Sequence, residues 1–204
     1  MLSIILSRQD IRENDQIITL YTAEKGKISA LARGVKKITS KNSAHLEPFF
    51  LVEAEIVPGK EIAHLTTVQP INAYKNIRED LSKMILAGHA VKLLNDLLQS
   101  GEPDQAVFLL ITDFLDYLSS ASTASTTLLD AFLARLLKVL GFDILAAPDM
   151  PSRFQPHMKN LVSSGWEDVE QGMDKKSEQT IRRELYRFAS FHCERKLAYF
   201  SGIR

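Results

Sequence analysis

Residues 16–33, QIITLYTAEKGKISALAR, decide the fold class of the N-terminal part. The opening QIITLYT is β-branched, aliphatic or aromatic at nearly every position, which suits a pleated strand. The closing KISALAR alternates, with Ile28, Ala30 and Ala32 on one face and Ser29, Leu31 and Arg33 on the other. Between them AEKG reads as a turn, with Gly26 free to take a positive φ. Upstream, residues 3–7 form a short apolar strand. Downstream, FFLVEAEIV at 49–57 is bounded by Pro48 and by Pro58-Gly59, and residues 62–68 supply a fifth strand that Pro70 is expected to stop. Five short strands in the first 70 residues predict a small closed or partly closed barrel.

Beyond Tyr74 the period changes. Leu81, Ile85, Val91, Leu94 and Leu98 form a helical stripe. It is broken at Ser100-Gly101-Glu102-Pro103, and Asp104 is placed to cap the next helix. Val107, Leu110, Ile111, Phe114, Leu115 and Leu118 carry that helix, and a polar break covers residues 119–127. Residues 128–140 make another, closed by Gly141. Residues 142–174, with Pro148, Pro151 and Pro156, read as irregular. Ser177 is then expected to cap a last helix reaching about residue 199. Four helices with short links predict a bundle packed on the barrel, so the chain is α+β: an all-β domain over 1–76 and an all-α domain over 77–204.

The charges add up to a formal net of zero, yet they are segregated. Between residues 25 and 41 lie Lys25, Lys27, Arg33, Lys36, Lys37 and Lys41 with no acid among them, an acidic stretch follows, and the chain turns basic again from Lys175. Such segregation can mark a polyanion-binding surface. No apolar run is long enough to span a bilayer, and MLSIILSRQD does not read as a leader peptide. The lone Cys193 excludes an internal disulfide and fits a reducing, cytoplasmic setting. It reads as a small buried hydrophobe.

Catalytic patterns are missing: no phosphate-binding loop, no nucleophile elbow and no zinc-protease histidine pair. The five histidines are scattered, and Glu53 and Glu55 share a face at strand spacing, as a solvated strand wall requires. His192 and Cys193 point about 100° apart on a helix and would chelate poorly. The basic run is the stronger signal. On a small barrel its lysines and arginines would neutralise phosphates, with Tyr21, Phe49, Phe50 and Tyr74 as candidates for base stacking. Of Phe49 and Phe50, adjacent on one strand, at least one must point inward. The alternative is that the lysines are a solvated edge and the aromatics are core.

The first 80 residues or so closely resemble the N-terminal domain of the bacterial RecO family. The resemblance rests on the step from Arg8 through Glu13-Asn14-Asp15, on LYTAEKGKI at 20–28, on GVKK at 34–37 and on LEPF at 46–49. LLDAFLARLLKVLGFD at 128–143 is similar to a helix of that family running into a Leu-Gly step. The resemblance implies an OB-fold barrel followed by a helical domain, in a non-enzymatic recombination mediator that binds and anneals single-stranded DNA. It implies partnership with RecR and with the acidic C-terminal tail of single-strand-binding protein, indirect service to RecA, and a cytoplasmic, nucleoid-associated location. The DNA contacts would fall on Arg8, Lys25, Lys27, Arg33, Lys36, Lys37 and Lys41. Many members of the family carry a four-cysteine zinc module after the Leu-Gly step. Residues 142–174 hold no cysteine, so no metal or other cofactor is expected, and packing by Phe154, Met158 and Trp166 is expected instead.

The final helix is the second candidate surface. Arg182, Arg183, Arg187, Arg195 and Lys196 make it basic, with Phe188 and Phe191 close by. Arg183, Arg187, Phe188, Phe191 and Arg195 are therefore the expected site for an acidic partner peptide. A bundle helix with a solvated basic side is the alternative. For the whole chain, the rival to a DNA-binding mediator is a protein–protein adaptor whose barrel has lost DNA affinity.

Overall fold

The structure is a computed structural model and describes residues 1–37, 43–146, 151–169, 174–194 and 197. Five strands, β1 (Leu2–Asp10), β2 (Gln16–Thr22), β3 (Gly26–Ala32), β4 (Leu51–Val57) and β5 (Ala63–Asn72), close into a barrel in the order β1-β2-β3-β5-β4. All neighbours are antiparallel except β3 and β5. This is the OB-fold arrangement. The structure extends β5 past Pro70, the expected stop, to Asn72. The reason is that β3 meets β5 only at Ala63 and His64, so near Pro70 one edge of β5 has no strand waiting for its missing N–H.

Alternation along β1 assigns its side chains to two cores. Ile5 joins Ile18, Leu20, Ala30 and Val52 inside the barrel. Ile4 and Leu6 point the other way, and with Tyr21 and Phe49 they enter the core of the helices. Phe50 faces the barrel interior while Phe49, held at a positive φ, faces the helices.

Among the described residues six α-helices follow, where four were expected: α1 (Lys75–Arg78), α2 (Leu81–Leu97), α3 (Gln105–Ser120), α4 (Thr126–Val139), α5 (Gln155–Ser163) and α6 (Lys175–His192). Asp80 and Asp104 cap α2 and α3 by accepting two backbone N–H bonds each. α6 starts three residues earlier than expected, because Asp174 takes the cap and accepts from Lys176 and Ser177. It also ends earlier, at His192, where Glu194 turns to a positive φ.

The stretch expected to be irregular contains α5, which Arg135 holds against α4. Its guanidinium donates to the carbonyls of Leu161 (2.9 Å) and Ser164 (2.6 Å) and lies 3.8 Å from the Trp166 ring centroid. Phe154 and Met158 are buried, and Trp166 packs edge-on against Phe114. Burial thus fills the place that sequence reading assigned to packing.

Besides the core they share, hydrogen bonds stitch the two lobes along a seam. The Tyr21 hydroxyl donates to the Asp104 carbonyl (3.2 Å) and accepts from the Asp104 N–H (3.0 Å). Lys27 donates its ammonium to the Asn95 carbonyl (2.7 Å), and its own carbonyl accepts from the Gly101 N–H (2.9 Å). Gly26, at φ +65°, presses so closely on the Glu102 carbonyl that a Cβ would collide with it.

Candidate nucleic-acid interface

At the far end of β3 from the seam, the loop after β1 and the loop after β3 are tied together. Asp15 accepts the Gly34 N–H (2.8 Å), and the Lys36 N–H donates to the Asn14 carbonyl (3.2 Å). Gly34 permits this with φ +61°, a conformation that costs a side-chain-bearing residue strain. The two loops bring Arg8, Arg12, Arg33, Lys36 and Lys37 to one end of the barrel.

These cations differ in how free they are. Arg8 is held by Glu47 at 2.6 Å and Lys36 by Asp10 at 2.6 Å. The hydrogen bonds from Lys36 and from Gln16 hold the Asp10 carboxyl below its ordinary pKa. Arg12 stands 3.9 Å from Asp15 and its side chain is 73% exposed. Among the described residues Arg33 and Lys37 make no ion pair, and with Arg12 they line one open cleft. The acid-free run in the sequence is therefore not acid-free in space: Asp10, Glu13, Asp15 and Glu47 come to it from other segments.

The other expected contacts lie elsewhere. β3 is seven residues long, roughly 20 Å, and it separates Lys25 and Lys27 from Arg33. Lys25 is exposed on the turn beside Glu24, Glu53 and Glu55. Lys27 is committed to the seam between the lobes. Lys41 lies outside the described residues. All four aromatic candidates for stacking, Tyr21, Phe49, Phe50 and Tyr74, are buried, so none presents a ring face to solvent. That corrects the expectation of stacking from these rings. The helical lobe covers one side of the barrel's outer wall and claims the side chains that point outward there, Tyr21 and Phe49 among them. Arg12 is the residue sequence reading passed over. It sits outside the basic run, between Asp10 and Glu13, and only the pairing of the loops places it with Arg33 and Lys37.

On α6, Arg182 is not part of the surface. It is buried and clamps Asp130 of α4 through bonds of 2.8 and 2.9 Å, while also donating to the Thr126 hydroxyl. Arg183 and Arg187 are exposed and both lean on Glu184, at 3.5 and 2.8 Å. Phe188 is partly buried with its ring tilted against that of His192, centroids 4.1 Å apart, whereas Phe191 is 78% exposed. Arg195 lies outside the described residues. Cys193 is partly buried against the helical core, and burial pushes its thiol pKa up. Among the described residues no three His, Cys, Asp or Glu side chains gather as a metal site, and no helix is long and apolar enough to cross a membrane.

Comparison with known proteins adds to this geometry. A family model described as "Recombination protein O N terminal" matches residues 3–74, and one described as "Recombination protein O C terminal" matches residues 78–145. The chain is 34% identical over 140 residues to the DNA repair protein RecO of Geobacter sulfurreducens, covering 69% of this chain and 57% of that relative. It is 32% identical over 142 residues to the RecO of Geobacter metallireducens, covering 70% and 58%. To the RecO of Symbiobacterium thermophilum it is 29% identical over 168 residues, covering 82% and 62%. The matched region thus spans somewhat over half the length of these relatives.

Proposed function

Because this chain belongs to the RecO family, we propose that it serves DNA repair by capturing single-stranded DNA at the loop end of its barrel, through binding and without bond-making chemistry. The observation that carries the reading is the cleft in which Arg12, Arg33 and Lys37 stand exposed on two loops locked together by Asp15. Cations held there would track phosphates irrespective of base sequence, and release of counterions would drive the association. Arg8 and Lys36, already paired, would contribute only by exchanging a carboxylate for a phosphate. Annealing of strands, assembly with RecR, contact with the acidic tail of single-strand-binding protein, help in loading RecA, and residence in the cytoplasm at the nucleoid belong to the same proposal.

The rival reading, an adaptor whose barrel holds no strand, draws on the burial of all four aromatics and on the acids that offset the basic run. Fluorescence anisotropy with oligo(dT) over a range of salt separates the two. The proposal expects affinity that falls steeply with salt, and a slope that flattens when Arg12, Arg33 and Lys37 are replaced together. Salt-independent or undetectable binding by the folded chain would favour the adaptor.

A further inference from the structure

The seam between the lobes opens on one side into a cleft of about 500 Å³. A volume of that order is enough to seat a side-chain anchor. Tyr21 of the barrel forms one part of the wall, and the ends of α2, α4 and α6 with the start of α3 form the rest. Leu97, Leu140 and Phe142, none of them fully buried, supply an apolar lining. Glu102, Asp104 and Glu194 stand around it with His192, and among the described residues no lysine or arginine lines it. Lys27, on the barrel side of the seam, donates its ammonium to the Asn95 carbonyl. Asp104 is occupied as the cap of α3, which leaves Glu102 and Glu194, both exposed, as carboxylates facing solvent.

We propose that this cleft is a docking site for a basic segment of a partner protein, with an apolar side chain seated on Leu97, Leu140 and Phe142 and flanking lysines or arginines met by Glu102 and Glu194. The argument is charge complementarity. Among the described residues the carboxylates Glu102 and Glu194 dominate the charge around this apolar recess, which attracts a cationic peptide and repels the phosphate backbone that the opposite end of the barrel is read to hold. Both lobes contribute to the wall, so an occupant would fasten the helical lobe to the barrel at its seam. The inference does not depend on strand binding by the barrel.

The test is anisotropy titration of the whole chain with a labelled peptide, KKFLKLKK, beside a second, KKSSKSKK, that keeps the charge and lacks the anchors. The apolar peptide is expected to bind at least about tenfold more tightly than its serine counterpart, and Glu102→Lys with Glu194→Lys is expected to weaken it by about tenfold or more. Glu53→Lys with Glu55→Lys, acids on the outer barrel wall, is expected to leave affinity unchanged. Should the cleft double variant fail to fold, Phe142→Ala and Glu194→Gln ask the same question one group at a time. Equal affinity in wild type and cleft variants overturns the proposal, as does equal loss in the Glu53/Glu55 control. A chain that takes up no peptide but dimerises through a contact abolished by the cleft substitutions also overturns it, assigning the surface to a second copy.

Discussion

At the loop end of the barrel and at the contact between α4 and α6, arginine meets aspartate under opposite conditions. Arg12, its side chain exposed, stands 3.9 Å from Asp15, while Arg182 grips Asp130 with bonds under 3 Å where both are almost wholly buried. In water the first attraction is screened and is worth at most about 1 kcal/mol, so Arg12 is free to exchange its partner for a phosphate. The second pair has no solvent to fall back on. Arg182 is structural, and it has no charge to spare for a ligand. The difference teaches that a cation's availability is set by what the fold places around it, and two arginines in similar polar stretches of sequence can serve opposite ends.

The sharpest way to break the comparison is to remove one member of the buried pair. Arg182→Met leaves Asp130 buried without its partner, and about 3–5 kcal/mol of stability is expected to go. Burial already pushes the Asp130 carboxyl up to about 6 against the pull of Arg182. A carboxyl whose folded pKa is raised takes up a proton on folding, so its penalty grows as pH rises through that value and shrinks below it. The deficit of Arg182→Met should therefore be smaller in acid than above neutrality. Adding Asp130→Leu should restore most of the loss, since an apolar pair of similar size fits the same space. Urea unfolding of the two variants at two pH values checks this, and a deficit that the second substitution does not relieve would count against the pair as the cause.

The next effect belongs to the seam. Gly26→Ala must hold φ near +65° and place its Cβ against the Glu102 carbonyl, and a loss of about 1–3 kcal/mol is expected. A midpoint shift in urea measures it. No shift would mean that the turn relaxes away from α3 and that the seam is looser than the Tyr21–Asp104 bonds indicate.

Most of the architecture was legible because periodicity and punctuation agree. QIITLYT is β2 to the residue, and Asp104 caps α3 as its position foretold. The misses have local causes. Pro70 breaks a strand only if its N–H is needed, and the one-edged pairing of β5 removes the need. Asp174 and Ser177 are both good caps three residues apart, and the earlier one wins by taking two N–H bonds. The candidate site was legible only in part. A run without acids is a property of the chain, whereas the field at the loop end includes Asp10, Asp15 and Glu47 from distant positions. Alternation likewise says that at least one of Phe49 and Phe50 points inward, and it does not say that a second lobe covers the other.

The exposed side of the comparison is sharpened by a variant that spares stability. Arg12→Ala, Arg33→Ala and Lys37→Ala together remove surface groups, and the melt should move by no more than about 0.5 kcal/mol. The salt slope for oligo(dT) should fall by roughly 0.7 per lost phosphate contact, about 2 if all three touch the strand. Replacing Lys36 and Arg8 instead should flatten it less, because cations already paired with Asp10 and Glu47 make fewer phosphate contacts to lose. A larger change from Lys36 and Arg8 than from the triple variant would invert the proposed division between paired and free cations.

The smallest effect is expected on the outer face of α6. Arg183 and Arg187 are exposed there and share Glu184, and Phe191 lies one turn further along with its ring in solvent. If an acidic peptide with an apolar end docks on α6, as proposed, these three residues would meet it, the arginines orienting it and the ring giving it a surface. Such charges lie at a rim, where water screens them, so they act more on encounter than on the bound state. Arg187→Glu both removes a cation and adds a carboxylate three residues from Glu184, and a loss of about fivefold in affinity for an acidic tail peptide is expected, roughly 1 kcal/mol. Binding of oligo(dT) should be unaffected, since the loop end of the barrel keeps all its cations. A fall in both affinities together would point to damage that spreads through the α4–α6 contact, and unchanged peptide affinity would leave α6 as scaffold, with Arg182 its only arginine at work.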